Sequence, residues 1–180
     1  KNRLRSQSYD EHLNRGALLE KNSFYSLALA EYQQAILLDK NNPEAYIRSG
    51  KIQFSNHSYT QAEDSFKQAL NISKNNFEAT IGLSKTYLEE RKFEDAKNTL
   101  NQLDENNQTV KYYKGILFAY FGDYPNSKIL FTKSIELAKD ETMKQNAQNF
   151  LEAYKEFSTN QGGQNIHLKT LLARSMIKTG

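Results

Sequence analysis

The chain contains no cysteine. Disulfides, thiolate metal sites and cysteine nucleophiles are therefore excluded. A reducing compartment fits this absence, and a cytoplasmic location is expected. No apolar run approaches the ~18 residues that a spanning helix needs, so no direct membrane insertion is expected of this segment. Charge of one sign is also scarce, with a net +3 over 180 residues. Basic residues are interleaved with acids and form no arginine-rich stripe, so no nucleic-acid partner is expected. The three histidines, His12, His57 and His167, lie at no metal-ligand spacing from one another, and no HExxH occurs. Each reads as a surface or turn residue. "QGGQ" at Gln161 to Gln164 lacks the lysine of a phosphate-binding loop and reads as linker, and no GxSxG is present. Catalytic residues, metal and cofactor are all expected to be absent, and the chain is not read as an enzyme. It begins at Lys1 and not Met, so it reads as a fragment, which leaves an exported or membrane-anchored parent protein open.

What is present is repetition. Apolar residues make up 38% of the chain and charged residues 25%, a globular composition. The stretches "YSLALAEYQQAI", "YTQAEDSFKQAL", "FEDAKNTLNQLD" and "YPNSKILFTKSI" begin at 25, 59, 93 and 124, spacings of 34, 34 and 31. Each opens on an aromatic residue, with a small residue three later and an apolar residue four after that. A second amphipathic segment precedes each one: "EHLNRGALLEKN", "EAYIRSGKIQFSN", "EATIGLSKTYLEE" and "VKYYKGILFAYFG". Polar breakers separate the units at "DKNNP", "SKNN" and "DENNQ". Pro43 suits a helix's first turn, where its missing N–H costs nothing. Each unit is thus helix, tight turn, helix and polar link, the pattern of a solenoid.

These positions resemble the tetratricopeptide-repeat family. That family places a bulky and then a small residue in the first helix, and small, aromatic and small residues in the second. The first unit supplies His12, Gly16, Ala28, Tyr32 and Ala35; the second supplies Tyr46, Gly50, Ala62, Phe66 and Ala69. The third supplies Leu83, Ser84, Tyr87, Ala96 and Leu100; the fourth supplies Gly115, Phe118, Ser127, Phe131 and Ser134. Four weak matches in one register make a strong one. The resemblance implies an all-α fold, a right-handed superhelical solenoid of antiparallel helix pairs. Small residues would let the two helices of a pair approach, and aromatic residues would fill the space toward the next pair.

The layout expected is an arm over 1–8 and four repeats over 9–139, in units of about 9–42, 43–76, 77–107 and 108–141. A capping helix over 140–157, a linker over 158–165 and a last segment over 166–180 follow. That last segment starts a further repeat or packs back on the capping helix. Leu103 replaces a small residue where the spacing falls to 31, so the second helix of the third unit should end early. Lys111 and Lys114 stand where the family is apolar. Either their stems lie along apolar surface or that helix is rotated.

The resemblance implies that first helices line a concave groove. The positions selected there are Leu13, Ala17, Ile47, Arg48, Lys51, Phe54, Ile81, Lys85, Leu88, Tyr112, Ile116 and Tyr120. This strip is largely apolar, and leaving Phe54 or Ile81 in water forgoes ~1.5–3 kcal/mol each relative to burial. A protein or peptide partner is expected to fill it. The alternative is that these residues complete the packing between adjacent first helices. Family members that grip a C-terminal carboxylate do so with lysine and asparagine in the first repeat, where this chain has Leu13 and Ala17, so that clamp is missing. Arg48, Lys51 and Lys85 suggest an acidic ligand. An interaction module is the leading reading. A scaffold acting through edges and self-association, or an accessory domain of a larger protein, are the alternatives.

Overall fold

A computed structural model describes residues 2–159, with side chains described over 8–155. The segments read as linker beyond 159 and as a further helix over 166–180 lie outside the described residues. Among those described, nine helices and no strands are present. They fall into two compact units, Lys1–Glu90 and Arg91–Gly180.

The first unit holds α1 (Asn2–Lys21), α2 (Tyr25–Leu38), α3 (Glu44–Ser55), α4 (Tyr59–Ile72) and α5 (Phe77–Glu89). Helix α1 begins at Asn2, where the sequence pattern suggests an arm. Two sharp turns, between α1 and α2 and between α3 and α4, are built alike. Phe24 N–H donates to Leu19 O at 2.9 Å and Ser58 N–H to Gln53 O at 2.8 Å, closing each helix end. The residue before each donor is left-handed: Ser23 at φ 62° and His57 at φ 60°. Neither is glycine, so each carries a Cβ clash worth roughly 1–2 kcal/mol. Gly122, at φ 80°, holds the same place in the second unit, where Asp123 N–H donates to Phe118 O at 2.9 Å. Ser23→Gly is therefore expected to stabilise by about 0.5–1 kcal/mol, and Gly122→Ala to destabilise by about the same amount. Denaturant midpoints check both, and a destabilised Ser23→Gly would contradict the strain argument.

Packing in this unit follows the repeated small and aromatic residues. Ala28, Tyr32 and Ala35 of α2 and Ala62, Phe66 and Ala69 of α4 are all 0–1% exposed. The glycines make room for the rings. A Cβ on Gly16 would run into the Tyr32 ring, and one on Gly50 would stand 2.8 Å from the Phe66 ring. Gly82 of α5 also lies against Phe66, and a Cβ there would meet the ring more closely still. The buried hydroxyls of α5 are satisfied within the helix. Thr80, Ser84 and Thr86 each donate at 2.8 Å to the carbonyl four residues back, so they act as small residues without a desolvation cost.

The second unit holds α6 (Phe93–Leu100), α7 (Gln108–Tyr120), α8 (Tyr124–Glu136) and α9 (Glu141–Thr159). Helix α6 has eight residues against fourteen in α4, as the shortened spacing leads one to expect. Asn107 and Asp123 cap α7 and α8 by accepting from backbone N–H groups two and three residues on. Gly115 faces the Phe131 ring as Gly50 faces Phe66, so α7 is not rotated. Lys114 is buried on that helix and reaches Glu105 at 2.7 Å. The small positions of α8 are serines with satisfied hydroxyls: Ser127 donates to Gly115 O at 2.8 Å and Ser134 to Gln108 O at 3.1 Å.

Helix α9 packs on α8 and α7. Phe150 stacks on Phe131 with centroids 4.5 Å apart, and Tyr154 donates its hydroxyl to Ser127 Oγ at 2.9 Å. Burial pushes the Tyr154 phenol up to about 12, so it stays a donor at any ordinary pH. Gln108, the first residue of α7, binds the link before α9. Its side-chain oxygen accepts from Lys139 N–H at 2.7 Å and Asp140 N–H at 3.0 Å, and its amide donates to Asp140 O at 3.1 Å.

Candidate functional site

In residues 1–90 the first helices α1, α3 and α5 present a shared polar face. Glu44 and Glu78 occupy the second position of "PEAY" and "FEAT", one repeat apart, so the fold delivers a carboxylate to the same place on α3 and α5. Arg48 stands one turn after Glu44, and its Nε donates to Glu44 Oε1 at 2.7 Å. The same guanidinium lies 3.6 Å from Glu20 of α1, and Glu20 also accepts the Tyr32 hydroxyl at 2.5 Å. Lys51 of α3 reaches across to Glu78 of α5 at 2.6 Å. Glu20, Glu44, Arg48, Lys51 and Glu78, with Ile47, Asn76 and Phe77, line a cavity of about 380 Å³. Three carboxylates and two cations give its walls an excess of one negative charge.

A second titratable group lies further along α5. Lys85 Nζ sits 4.7 Å over the Phe54 ring, a cation–π contact. Burial pulls the Lys85 ammonium below the ordinary lysine range; Glu89 opposes the shift and Lys51 adds to it. Burial also raises the Glu89 carboxyl, against Lys85, His57 and a Tyr59 hydrogen bond. Glu89 is half-buried at the end of α5. His57 Nδ1 stands 2.8 Å from the Tyr59 hydroxyl.

The twelve positions selected from sequence are placed differently from one another. Arg48, Lys51 and Ile47 meet in the cavity, and Phe54 meets Lys85 beside it. Leu13, Ala17 and Ile81 are half-buried, and Leu13 packs against the core of the first unit. Ile47, Phe54 and Leu88 are buried to between 2% and 9% exposure, and Tyr112 and Ile116 of the second unit to 0–1%. These five spend most of their apolar surface on packing. Tyr120 is exposed and lies against Phe93 with centroids 3.8 Å apart. Glu44, Asn76, Phe77 and Glu78 are wall residues that the groove positions do not include, whereas Glu20 lies on the same side of α1 as Leu13 and Ala17 by its helical spacing. Glu44 and Glu78 do carry a sequence signal, recurring with the repeat; the bonds of Glu20 to Tyr32 and Arg48 come from the tertiary structure. Arg48 and Lys51, two of the three cations that suggest an acidic ligand, pair here with carboxylates of the chain itself. Among the described residues, no group of three or more acids or histidines could hold a metal, and no helix is long and apolar enough to cross a membrane.

The class is an all-α solenoid of helix pairs, in which small residues on one helix seat an aromatic ring from its partner. Residues 53–117 match the family model of the tetratricopeptide repeat. The fold of the chain is shared with solved structures of low sequence identity. One is TTC0263, a thermophilic protein of Thermus thermophilus, at 16% identity and TM-score 0.66, covering 94% of this chain and 99% of that one. Another is MamA from Desulfovibrio magneticus RS-1, at 15% identity and TM-score 0.70, covering 94% of each chain. YrrB, described as having an unusual peptide-binding site, matches at 21% identity and TM-score 0.63, covering 91% of this chain and 84% of that one. No curated protein matches the sequence. Repeats of this family generally serve as protein-interaction modules.

Proposed function

We propose that the chain is a non-catalytic interaction module that holds a segment of a partner protein on the first-helix face of residues 1–90. The observation that carries this reading is the cavity of about 380 Å³ whose walls are ion pairs between successive repeats. Lys51 and Glu78 are each about half exposed, so their pair is worth only ~0–1 kcal/mol and opens readily to an incoming group. Phe77 is 39% exposed at the cavity's edge and offers apolar area to the same segment. The excess of acid favours a segment that brings a basic residue beside an apolar one. The peptide-binding site named for YrrB, a protein of this fold, agrees with that use.

A second reading, an assembly scaffold, has its own support. Leu18, Phe24 and Leu27 flank the α1–α2 turn at 58–60% exposure, a patch suited to self-association. One experiment separates the two. The intact chain and a Lys51→Ala, Phe77→Ser, Ile81→Ser variant are used in affinity capture, with sedimentation run in parallel. The module reading expects capture to fall at least about tenfold, a loss of ~1.4 kcal/mol, with the oligomeric state unchanged. Capture that survives the triple substitution, with self-association lost in Leu18→Glu, would support the scaffold instead.

A further inference from the structure

Helix α6 stops at Leu100 after eight residues, where α8 runs for thirteen, and the chain returns to α7 through turns. Beside this shortened end lies a cavity of about 350 Å³, within the size range of ligand pockets. Its apolar wall is formed by Leu117 and Phe118 of α7, Phe121 just after it, and Leu130 of α8. Phe121 is 51% exposed. The rim is basic, with Lys97 from α6 and Lys111 and Lys114 from α7. These are the two α7 lysines that stand where the repeat pattern is apolar, and Lys111 has no ion pair among the described residues.

A carboxylate already sits in this rim. Lys114 Nζ donates to Glu105 Oε1 at 2.7 Å, with the lysine side chain 11% exposed and the glutamate 69%. A nearly buried ammonium thus meets solvent through one loop carboxylate. Lys114, then Lys111, hold the Glu105 carboxyl below the ordinary range. The other acid of the wall, Asp123, is engaged in capping α8, where it accepts from the backbone and the side chain of Asn126.

We propose that this cavity docks a partner protein's segment that inserts one large apolar side chain against Leu117, Phe121 and Leu130 and sets an adjacent carboxylate on Lys111 and Lys114, displacing Glu105. Charge complementarity selects this occupant. Exchange of an exposed loop carboxylate for an incoming one keeps the Lys114 ion pair and gives Lys111 a partner. Residues 160–180 of the chain carry Lys169, Arg174 and Lys178 and no acid, so the rim repels them. The inference is independent of the site in residues 1–90.

The test uses the full chain and a synthetic peptide in which a central Leu-Phe pair is flanked by glutamates. A lysine-flanked counterpart and one with serine at both apolar positions are compared. Binding is read as amide chemical-shift changes. The expected result is saturable shifts at Lys111, Leu117 and Phe121 with the acidic peptide alone. Lys111→Glu should weaken binding about tenfold. Glu105→Gln should tighten it several-fold, which a merely structural ion pair would not do. If Lys111→Glu loses its helical circular dichroism, Lys111→Gln, expected to weaken binding about threefold, carries the same comparison. Equal binding of the lysine-flanked peptide, unchanged affinity in Glu105→Gln, or shifts confined to other residues would overturn the proposal. So would self-association abolished by Lys111→Glu, which assigns the cavity to a second copy. Competition by a peptide of residues 160–180 would assign it to the chain's own segment, with the same consequence.

Discussion

Replacing Phe66 with alanine is expected to remove roughly 3–5 kcal/mol of stability, the cost of emptying a fully buried aromatic site. The ring is 1% exposed, and it lies against Gly50 of its own repeat and Gly82 of the next. No neighbouring Cβ stands ready to collapse into the space, so the cavity stays open and the loss falls at the upper end. Against a total of about 5–15 kcal/mol for a domain, this leaves the variant close to unfolding. Urea titration followed by far-UV circular dichroism measures it, and a loss below ~1 kcal/mol would show that the ring does not hold the repeats together. The same geometry predicts a rescue. Gly82→Ala alone should cost about 1–3 kcal/mol through overpacking. Combined with Phe66→Leu, it should cost less than the sum, because the smaller side chain leaves room for the new methyl.

Gln108→Ala carries the second large expected effect, roughly 2–3 kcal/mol, because it leaves the N–H groups of Lys139 and Asp140 and the carbonyl of Asp140 without their partner. The site is local, so the loss should also be local. Hydrogen exchange should show the amides of α9 losing protection first and those of α7 later. Gln145→Ala is the control, since that amide donates to Asn149 on the exposed side of α9 and should shift stability by less than ~0.5 kcal/mol. Equal effects from the two substitutions would mean that Gln108 does not anchor the α8–α9 link.

Much of the fold is legible in the sequence because the repeat states the same packing rule several times. Ala62, Phe66 and Ala69 read as inward-facing from their spacing alone, since small, aromatic and small residues recurring at 34-residue intervals mark a packed helix face. The short α6 is visible in the one spacing that drops to 31. The candidate site is harder to read. Helical periodicity puts Ile47, Phe54 and Tyr112 on the side expected to face a partner, because it shows which residues share a side. It does not show how close the next helix comes. The neighbouring helices come close enough to bury all three, and the walls of the cavity in residues 1–90 are mostly charged, with Phe77 exposed at the edge.

The sequence by itself determined the class of fold, the helix pairs and the small and aromatic positions that pack them, because these follow from local periodicity repeated down the chain. That the rings of Tyr32, Phe66 and Phe131 seat on the glycine of their own pair came from the structure. Tertiary structure alone decided which charges meet. Glu20 finds Arg48, Lys51 finds Glu78, Glu105 covers Lys114, and Gln108 binds a link some thirty residues away. The physical reason is range. Periodicity is set by neighbours one turn apart, whereas an ion pair or an amide bracket depends on the distance between elements far apart in the chain.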